Sequence, residues 1–259
     1  MRHEKIITVL NTPCLLTTRE SLAAAISAAC HDPNRQQPIS VDFTNVHIVT
    51  LRAHDPTFHE YTSSVDWFVS DSQILSWSLT CLGGRGHARV YGPDFLALFF
   101  ESGEKGLRHA FLGGSQECLD LLCTKVRALQ PEARIAATHH GYFKPQDEAA
   151  IIDRINQSNA DILWVGLGTP KQQQWIHNHK SQLNVAAILA VGFAFDVNAG
   201  TKQDAPAWLG PLGLTWLHRL ISEPRRLWKR YLIYNTLYVL KFLRQVITGR
   251  TLPSPTRPS

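Results

Sequence analysis

The sequence predicts an α/β fold in which a mostly parallel sheet is covered by helices on both faces. Three observations carry that prediction. Between about residue 100 and residue 200, short apolar runs alternate with longer stretches of helical pattern. The apolar runs lack the polar alternation of a half-solvated strand, so both of their faces require cover. The segments between them have the length of crossover helices, about ten residues.

In chain order, Ser21–Cys30 reads as a helix, and Ile39–Phe43 and His47–Leu51 as strands. Trp67–Ser70 is a strand that leads into a helix over Gln73–Thr80. Phe111–Leu112 ends at Gly113 and Gly114, after which Gln116–Leu129 is an amphipathic helix stopped by Pro131. Arg134–Ala137 is a strand and Asp147–Ile155 a helix. Asp161–Val165 is the clearest strand and turns through Gly166, Gly168 and Pro170 into a helix over Lys171–His179; Ala186–Val191 is a further buried strand. After Pro206 the pattern changes. Ala207–Ile221 is helical but interrupted at Gly210–Gly213, and Arg225–Ile247 contains neither Gly nor Pro. The organisation expected is a Rossmann-like core over 1–205, a basic helical appendage over 206–250 that associates with membranes, and a disordered proline-bearing tail over 251–259.

A chain of 259 residues, 44% hydrophobic and 18% charged, can bury one large core, which excludes disorder along its whole length. Its net charge of +5 is unevenly placed. Residues 1–218 hold 17 basic against 20 acidic side chains, whereas 219–250 hold eight basic ones against the single acid Glu223. A mildly acidic body with a basic end excludes a surface-wide nucleic-acid binder and asks what anion that end meets. Five scattered cysteines without a C-x-x-C pair read as buried thiols of a reducing compartment. The N-terminus reads against a signal peptide, and no uncharged apolar run approaches the roughly 20 residues needed to span a bilayer. Membrane contact is therefore expected to be peripheral.

Few motifs carry chemistry alone. The turn Gly166–Gln172 joins a strand to a helix, where glycines let the backbone approach a ligand and free amides favour an anion. As a dinucleotide fingerprint it is broken, because Lys171 stands where the third glycine belongs, which disfavours a nicotinamide-dependent oxidoreductase. Asp71 follows an apolar strand at its carboxyl end. It can serve as a general base or merely cap the next helix. Asp196 has the same ambiguity. The twelve histidines show no zincin spacing, and no G-x-S-x-G element is present, so neither a metal site nor a cofactor is expected.

Together, the motifs from about residue 48 to 245 resemble the WecG/TagA/CpsF family of bacterial glycosyltransferases. The residues that carry the likeness include Val49–Leu51, Asp71, Arg89, Gly92, Asp94 and Phe111–Gly114. They continue with His140, Tyr142, Phe143, Gly166, Gly168, Gln172, Val191–Asp196, Trp208, Trp216, Arg219, Glu223, Arg226 and Arg230. The resemblance implies an inverting, metal-independent transfer of a sugar from a UDP-sugar to a polyprenyl-diphosphate-linked sugar at the cytoplasmic membrane face. It implies Asp71 as general base, Thr50 and Arg89 at the donor sugar, and Tyr142, Gln172 and Asp196 around the uridine. The Gly166–Gly168 turn goes with that nucleotide site, and Arg219, Arg226 and Arg230 with the diphosphate. The family usually has Asn where Arg52 stands, commonly Pro-Asp-Gly where Ser70-Asp71-Ser72 stands, and often Glu where Gln173 stands. Arg52 joins the donor-sugar set, as a cation for a carboxylate-bearing donor or as a reshaped pocket wall. The competing reading is a catalytically silent nucleotide-sugar- or membrane-binding scaffold. An exposed apolar appendage could also pair two copies in solution.

Overall fold

Eight strands form a single sheet in the computed structural model, which describes residues 5–252 and leaves the side chains of Arg226 and Arg230 outside that description. The strands are β1 (Ile6–Val9), β2 (Thr12–Leu15), β3 (Ile39–Thr44), β4 (Trp67–Ser70), β5 (Arg108–Gly113), β6 (Arg134–His139), β7 (Ile162–Gly166) and β8 (Ala187–Ala190). Their spatial order is β1-β2-β4-β3-β8-β7-β5-β6, parallel throughout except for the β1–β2 hairpin. The mostly parallel α/β architecture expected from the apolar runs is the one found.

Successive residues of the central strands point to opposite covered faces. Trp164 and Leu189 meet one core, together with α1 (Arg19–Cys30), α5 (Gly92–Ser102), α6 (Gln116–Leu129) and α9 (Ala194–Ala199). Leu163 and Ile188 meet the other, under α7 (Glu148–Gln157) and α8 (Lys171–His179). A third core lies under α2 (Val46–Arg52) and α4 (Gln73–Cys81), with α3 (Pro56–Tyr61) beside it.

Three local expectations change. His47–Leu51 is not a strand but part of α2. The Asn45 side chain accepts from the amides of His47 and Ile48, and this cap turns a β-branched run into a helix. Val46 and Val49 then pack inward together, as residues three apart on one helical face do. Second, the N-terminal hairpin is an element that carried no strand expectation. Its turn residue Leu10 has φ of 58°, an uncommon value for a side-chain-bearing residue, and its amide donates to Gln245 Oε1 at 2.7 Å. Third, the residues after Pro206 form a short turn over Ala207–Leu209, then α10 (Thr215–Ser222) and α11 (Pro224–Arg230). A turn of π geometry at Tyr231–Asn235 leads from there into α12 (Thr236–Thr248).

The inner face of α12 is anchored on the body. Tyr238 donates its hydroxyl to Ser78 Oγ at 2.6 Å, and Gln245 Nε2 donates to the Thr8 carbonyl at 2.8 Å. Its outer face leaves Val239, Leu240, Leu243, Val246 and Ile247 exposed. No helix among the described residues is long and apolar enough to cross a membrane.

Candidate active site

The carboxyl ends of β3, β4, β5, β7 and β8 surround a cleft of about 400 Å3, where open α/β sheets place their ligands. Asp71 lies at its inner end. It leaves β4 with its amide bonded to the Thr44 carbonyl at 2.8 Å, and its own carbonyl accepts from Arg89 Nε at 2.7 Å. The capping role falls to Ser72, whose hydroxyl accepts from Leu75 N at the start of α4. Asp71 is thus freed for the cleft. Its Oδ1 accepts from the Gly92 amide at 2.8 Å, and among the described residues no donor reaches Oδ2. Burial raises its pKa above the ordinary carboxylate value, opposed by the Arg89 and Arg219 charges and by the Gly92 hydrogen bond.

The turn after β7 forms one wall. A Cβ on Gly166 would lie 2.5 Å from the Phe195 ring, so glycine there is a packing requirement. Gly168 has φ of 77°, and its amide donates to Gln172 Oε1 at 3.1 Å, so Gln172 shapes the turn it follows. Pro170 occupies the cap position of α8 and provides no side-chain cap. Gln173 Nε2 donates to the buried Asp42 Oδ2 at 2.8 Å. A carboxamide can give Asp42 that hydrogen bond and an ionised carboxylate cannot, which accounts for Gln at this position. Tyr142 stands at the rim, highly exposed, on a loop that Lys171 ties down by donating Nζ to the Gly141 carbonyl at 2.8 Å.

The opposite wall is cationic. The Arg219 guanidinium lies over the Phe193 ring at 4.0 Å, and its Nε is buried without a hydrogen-bond partner among the described residues. Lys202 lines the cleft as well, held 3.4 Å from Glu223. Asp196 accepts from Thr201 Oγ1 at 3.2 Å and also faces the cleft. Among the described residues there is no group of three or more His, Cys, Asp or Glu arranged to hold a metal ion.

Of the residues singled out from sequence, Asp71, Tyr142, Gly166, Gly168, Gln172, Asp196 and Arg219 converge on this cleft. Arg89 lies behind Asp71, on an adjoining smaller cavity, with its guanidinium stacked on Tyr91 at 4.1 Å. The side chains of Arg226 and Arg230 fall outside the described residues. Thr50 and Arg52 are not brought to the cleft. Thr50 is fully buried, with its hydroxyl donating to the Val46 carbonyl at 2.8 Å and reaching the Tyr234 carbonyl at 3.3 Å. Arg52 is 4% exposed and donates to Thr12 Oγ1 and to the Thr62 carbonyl and hydroxyl, over the Phe68 ring. Burial lowers its pKa to about 10. Their side chains are committed to structure because residues 46–52 are helical. Arg52→Met is therefore expected to lower unfolding stability in urea by about 3 kcal/mol, since hydrogen bonds to a buried charge are lost. The same variant should leave the donor KM within about twofold of wild type, whereas a raised donor KM at unchanged stability would return Arg52 to the donor site.

Asn45, Tyr91 and Lys202 also line the cleft, although the sequence did not mark them. Asn45 stands where β3 ends, and a polar residue directly after a buried strand is the signal that could have found it. Lys202 lies just beyond the last glycine of its motif, in a loop with no pattern to mark it.

A family model described as the glycosyl transferase WecG/TagA/CpsF family matches residues 7–252. The chain is also 28% identical over 219 residues to a protein of Bacillus subtilis (strain 168), covering 84% of each chain. That protein is named N-acetylglucosaminyldiphosphoundecaprenol N-acetyl-beta-D-mannosaminyltransferase.

Proposed function

Because the chain belongs to the WecG/TagA/CpsF glycosyltransferase family, we propose that it moves a hexose, N-acetylhexosamine or uronic acid from a UDP-sugar to a polyprenyl-diphosphate-linked sugar, by direct displacement with inversion and without a metal. The observation that carries this reading is the state of Asp71. It is a buried carboxylate released from capping, with one oxygen fixed by the Gly92 amide and the other open to the cleft. Inversion in one step needs one base on the acceptor hydroxyl and compensation of the charge that builds on the departing diphosphate. In this reading Asp71 is the base. Arg219 and Lys202 face the diphosphate, joined by Arg226 and Arg230, as bidentate guanidinium contacts suit phosphate. Tyr142, Gly166, Gly168, Gln172 and Asp196 surround the uridine, Asn45 lies at the sugar end, and Arg89 supports Asp71 from behind.

The name of the Bacillus relative, which specifies a diphosphoundecaprenol-linked N-acetylglucosamine acceptor, supports a lipid-linked acceptor here. A panel of UDP-glucose, UDP-N-acetylmannosamine and UDP-uronic acids is the test, offered to the purified protein with a short-chain lipid-diphosphate acceptor and read by mass spectrometry. Turnover of one donor is expected. Failure with all of them, under conditions where UDP binds, would favour the silent scaffold. That alternative drew on Arg52 and Ser72, which both have structural tasks in this fold.

The lipid tail of such an acceptor asks for a docking face, and the outer stripe of α12 offers one. Its exposed aliphatic residues lie beside the exposed Arg244 and Arg250, the composition of a helix lying in a membrane interface. Lys241 does not belong to this set, because its Nζ donates to the Ala53 carbonyl at 3.0 Å and burial lowers its pKa. The combined change Arg244→Glu and Arg250→Glu is expected to weaken binding to anionic vesicles about tenfold or more and to increase salt sensitivity, read by flotation. Transfer to a soluble acceptor should be spared; equal loss in both assays would argue against a separate docking face. The membrane concerned is the inner face of the bacterial plasma membrane, where UDP-sugars are available, and without a membrane the same stripe can pair two copies.

A further inference from the structure

Asp71 borders two spaces. Besides the large cleft there is a second, smaller cavity of about 60 Å3 between the start of α4, α10 and the π turn. The two share Asn45, Asp71, Tyr91 and Arg219 as a common wall. The second space is too small for a nucleotide and offers room for the hydroxyl-bearing edge of a pyranose.

Its lining has the chemistry of a carbohydrate site. Trp216 and Tyr231 form an aromatic wall, their ring centroids 5.7 Å apart. Gln73, Thr215 and Asn235 supply polar side chains, and no hydrogen bond among the described residues engages any of the three. Polar groups left open on an aromatic wall bind a ligand that is apolar on its faces and hydroxylated at its edge. The residues that follow Tyr231 in the same turn, Leu232 and Ile233, are exposed and apolar, so a lipid chain leaving this cavity would meet an apolar surface.

In-line displacement fixes the order of the reacting groups. The leaving diphosphate, the anomeric carbon, the acceptor oxygen and the base follow one another, and the base touches the acceptor rather than the donor. With the diphosphate at Arg219 and Lys202, the acceptor oxygen meets Asp71 at the shared wall and the rest of its sugar continues beyond it. We infer that the second cavity receives the hydroxyl-bearing edge of the lipid-diphosphate acceptor's sugar, with Trp216 against the apolar face of the pyranose and Gln73 and Asn235 bonding its hydroxyl or acetamido groups. This rests on the transferase reading above and adds to it a site for the second substrate.

The test uses the full chain with farnesyl-diphosphate-linked N-acetylglucosamine as acceptor probe and whichever UDP-sugar the wild type turns over. Gln73→Ala, Asn235→Ala and Trp216→Leu are compared with wild type in acceptor KM, donor KM and UDP affinity by calorimetry. Gln73→Ala and Asn235→Ala keep the wall intact should Trp216→Leu disturb α10. The acceptor KM is expected to rise about tenfold or more, while donor KM and UDP affinity stay within about twofold, since each variant removes hydrogen bonds or stacking from one substrate only. A raised donor KM with an unchanged acceptor KM would assign the cavity to the donor sugar and overturn the inference. Unchanged values for both would leave the cavity without a substrate and overturn it equally. A wild type that binds UDP yet transfers nothing would instead remove the transferase reading itself, and this inference with it.

Discussion

Asp71→Asn is expected to reduce transfer by roughly three orders of magnitude while leaving the fold at least as stable as wild type at neutral pH. The amide keeps the Oδ1 acceptor for the Gly92 amide, so the local geometry has no reason to move. It cannot take a proton from the acceptor hydroxyl. The stability half of the result follows from linkage. Burial raises the Asp71 pKa in the folded chain, against the attraction of Arg89 and Arg219. A carboxyl group with a raised folded pKa favours folding most below its unfolded value, near 4, and loses that contribution as pH rises through the folded value. At neutral pH the ionised, desolvated carboxylate is a net burden, and the neutral amide removes it. The thermal midpoint of Asp71→Asn should therefore equal or exceed that of wild type at pH 7 to 8 and fall to or below it in acid. A variant that retains full transfer would remove Asp71 from the chemistry. One that loses activity together with stability would make it a structural residue. The wild-type kcat/KM profile should also lose activity in acid with an apparent pKa above that of an ordinary aspartate.

Arg219→Ala is expected to lower kcat by roughly two to three orders of magnitude, the usual consequence of removing one group that meets charge in a transition state. Arg219 has no salt-bridge partner among the described residues, its Nε lacks an acceptor, and its guanidinium rests on the Phe193 face. A cation held in place by an aromatic ring, with no ion pair among the described residues, is arranged for a ligand that brings an anion. Its charge also lowers the Asp71 pKa, so the acid limb of the rate profile should move to higher pH in Arg219→Ala. Arg219→Lys keeps the charge and is expected to hold the acid limb near its wild-type position, while kcat recovers only in part because stacking and bidentate geometry are lost. Weaker folding with an unmoved limb and an unchanged kcat would assign Arg219 to the appendage's packing alone.

Much of the architecture was legible because burial on both faces leaves a plain mark. Trp67–Ser70, Ile162–Gly166 and Ala187–Ala190 are largely apolar runs of strand length, and Lys171–His179 begins and ends where its pattern does. Residues 46–52 misled because Val46, Ile48, Val49 and Leu51 have strand composition. One hydrogen-bonding side chain, Asn45, overrides that composition by capping α2. The family resemblance assigns Thr50 and Arg52 to the donor sugar, whereas in the fold both side chains are buried on α2 and Asn45, just after β3 ends at Thr44, is the residue of this segment with a polar side chain on the cleft. Asp71 was found but could not be separated from a helix cap, since only the fold shows Ser72 taking that task. Tyr91 and Lys202 carried no signal. Tyr91 occupies an unmarked position between Arg89 and Gly92, and its place behind Asp71, under the Arg89 guanidinium, is secured by the hydroxyl hydrogen bond it donates at 2.6 Å to Asp204, 113 residues away in sequence.

The basic end of the chain also divides once the structure is known. Arg219 turns to the cleft, Lys241 turns to the Ala53 carbonyl, and Arg244 and Arg250 remain at the surface. Composition gave these residues one charge pattern, and packing gives them three different environments.

The stereochemistry of a single product tests the central claim most directly. Purified protein is incubated with an anomerically pure α-linked UDP-sugar that it turns over and the farnesyl-diphosphate-linked acceptor, with a chelator present, and the new glycosidic bond is read by NMR. Direct displacement assisted by Asp71 predicts one lipid-linked disaccharide with a β linkage, formed at an undiminished rate. An α-linked product, or transfer abolished by the chelator and restored by a divalent cation, would contradict it.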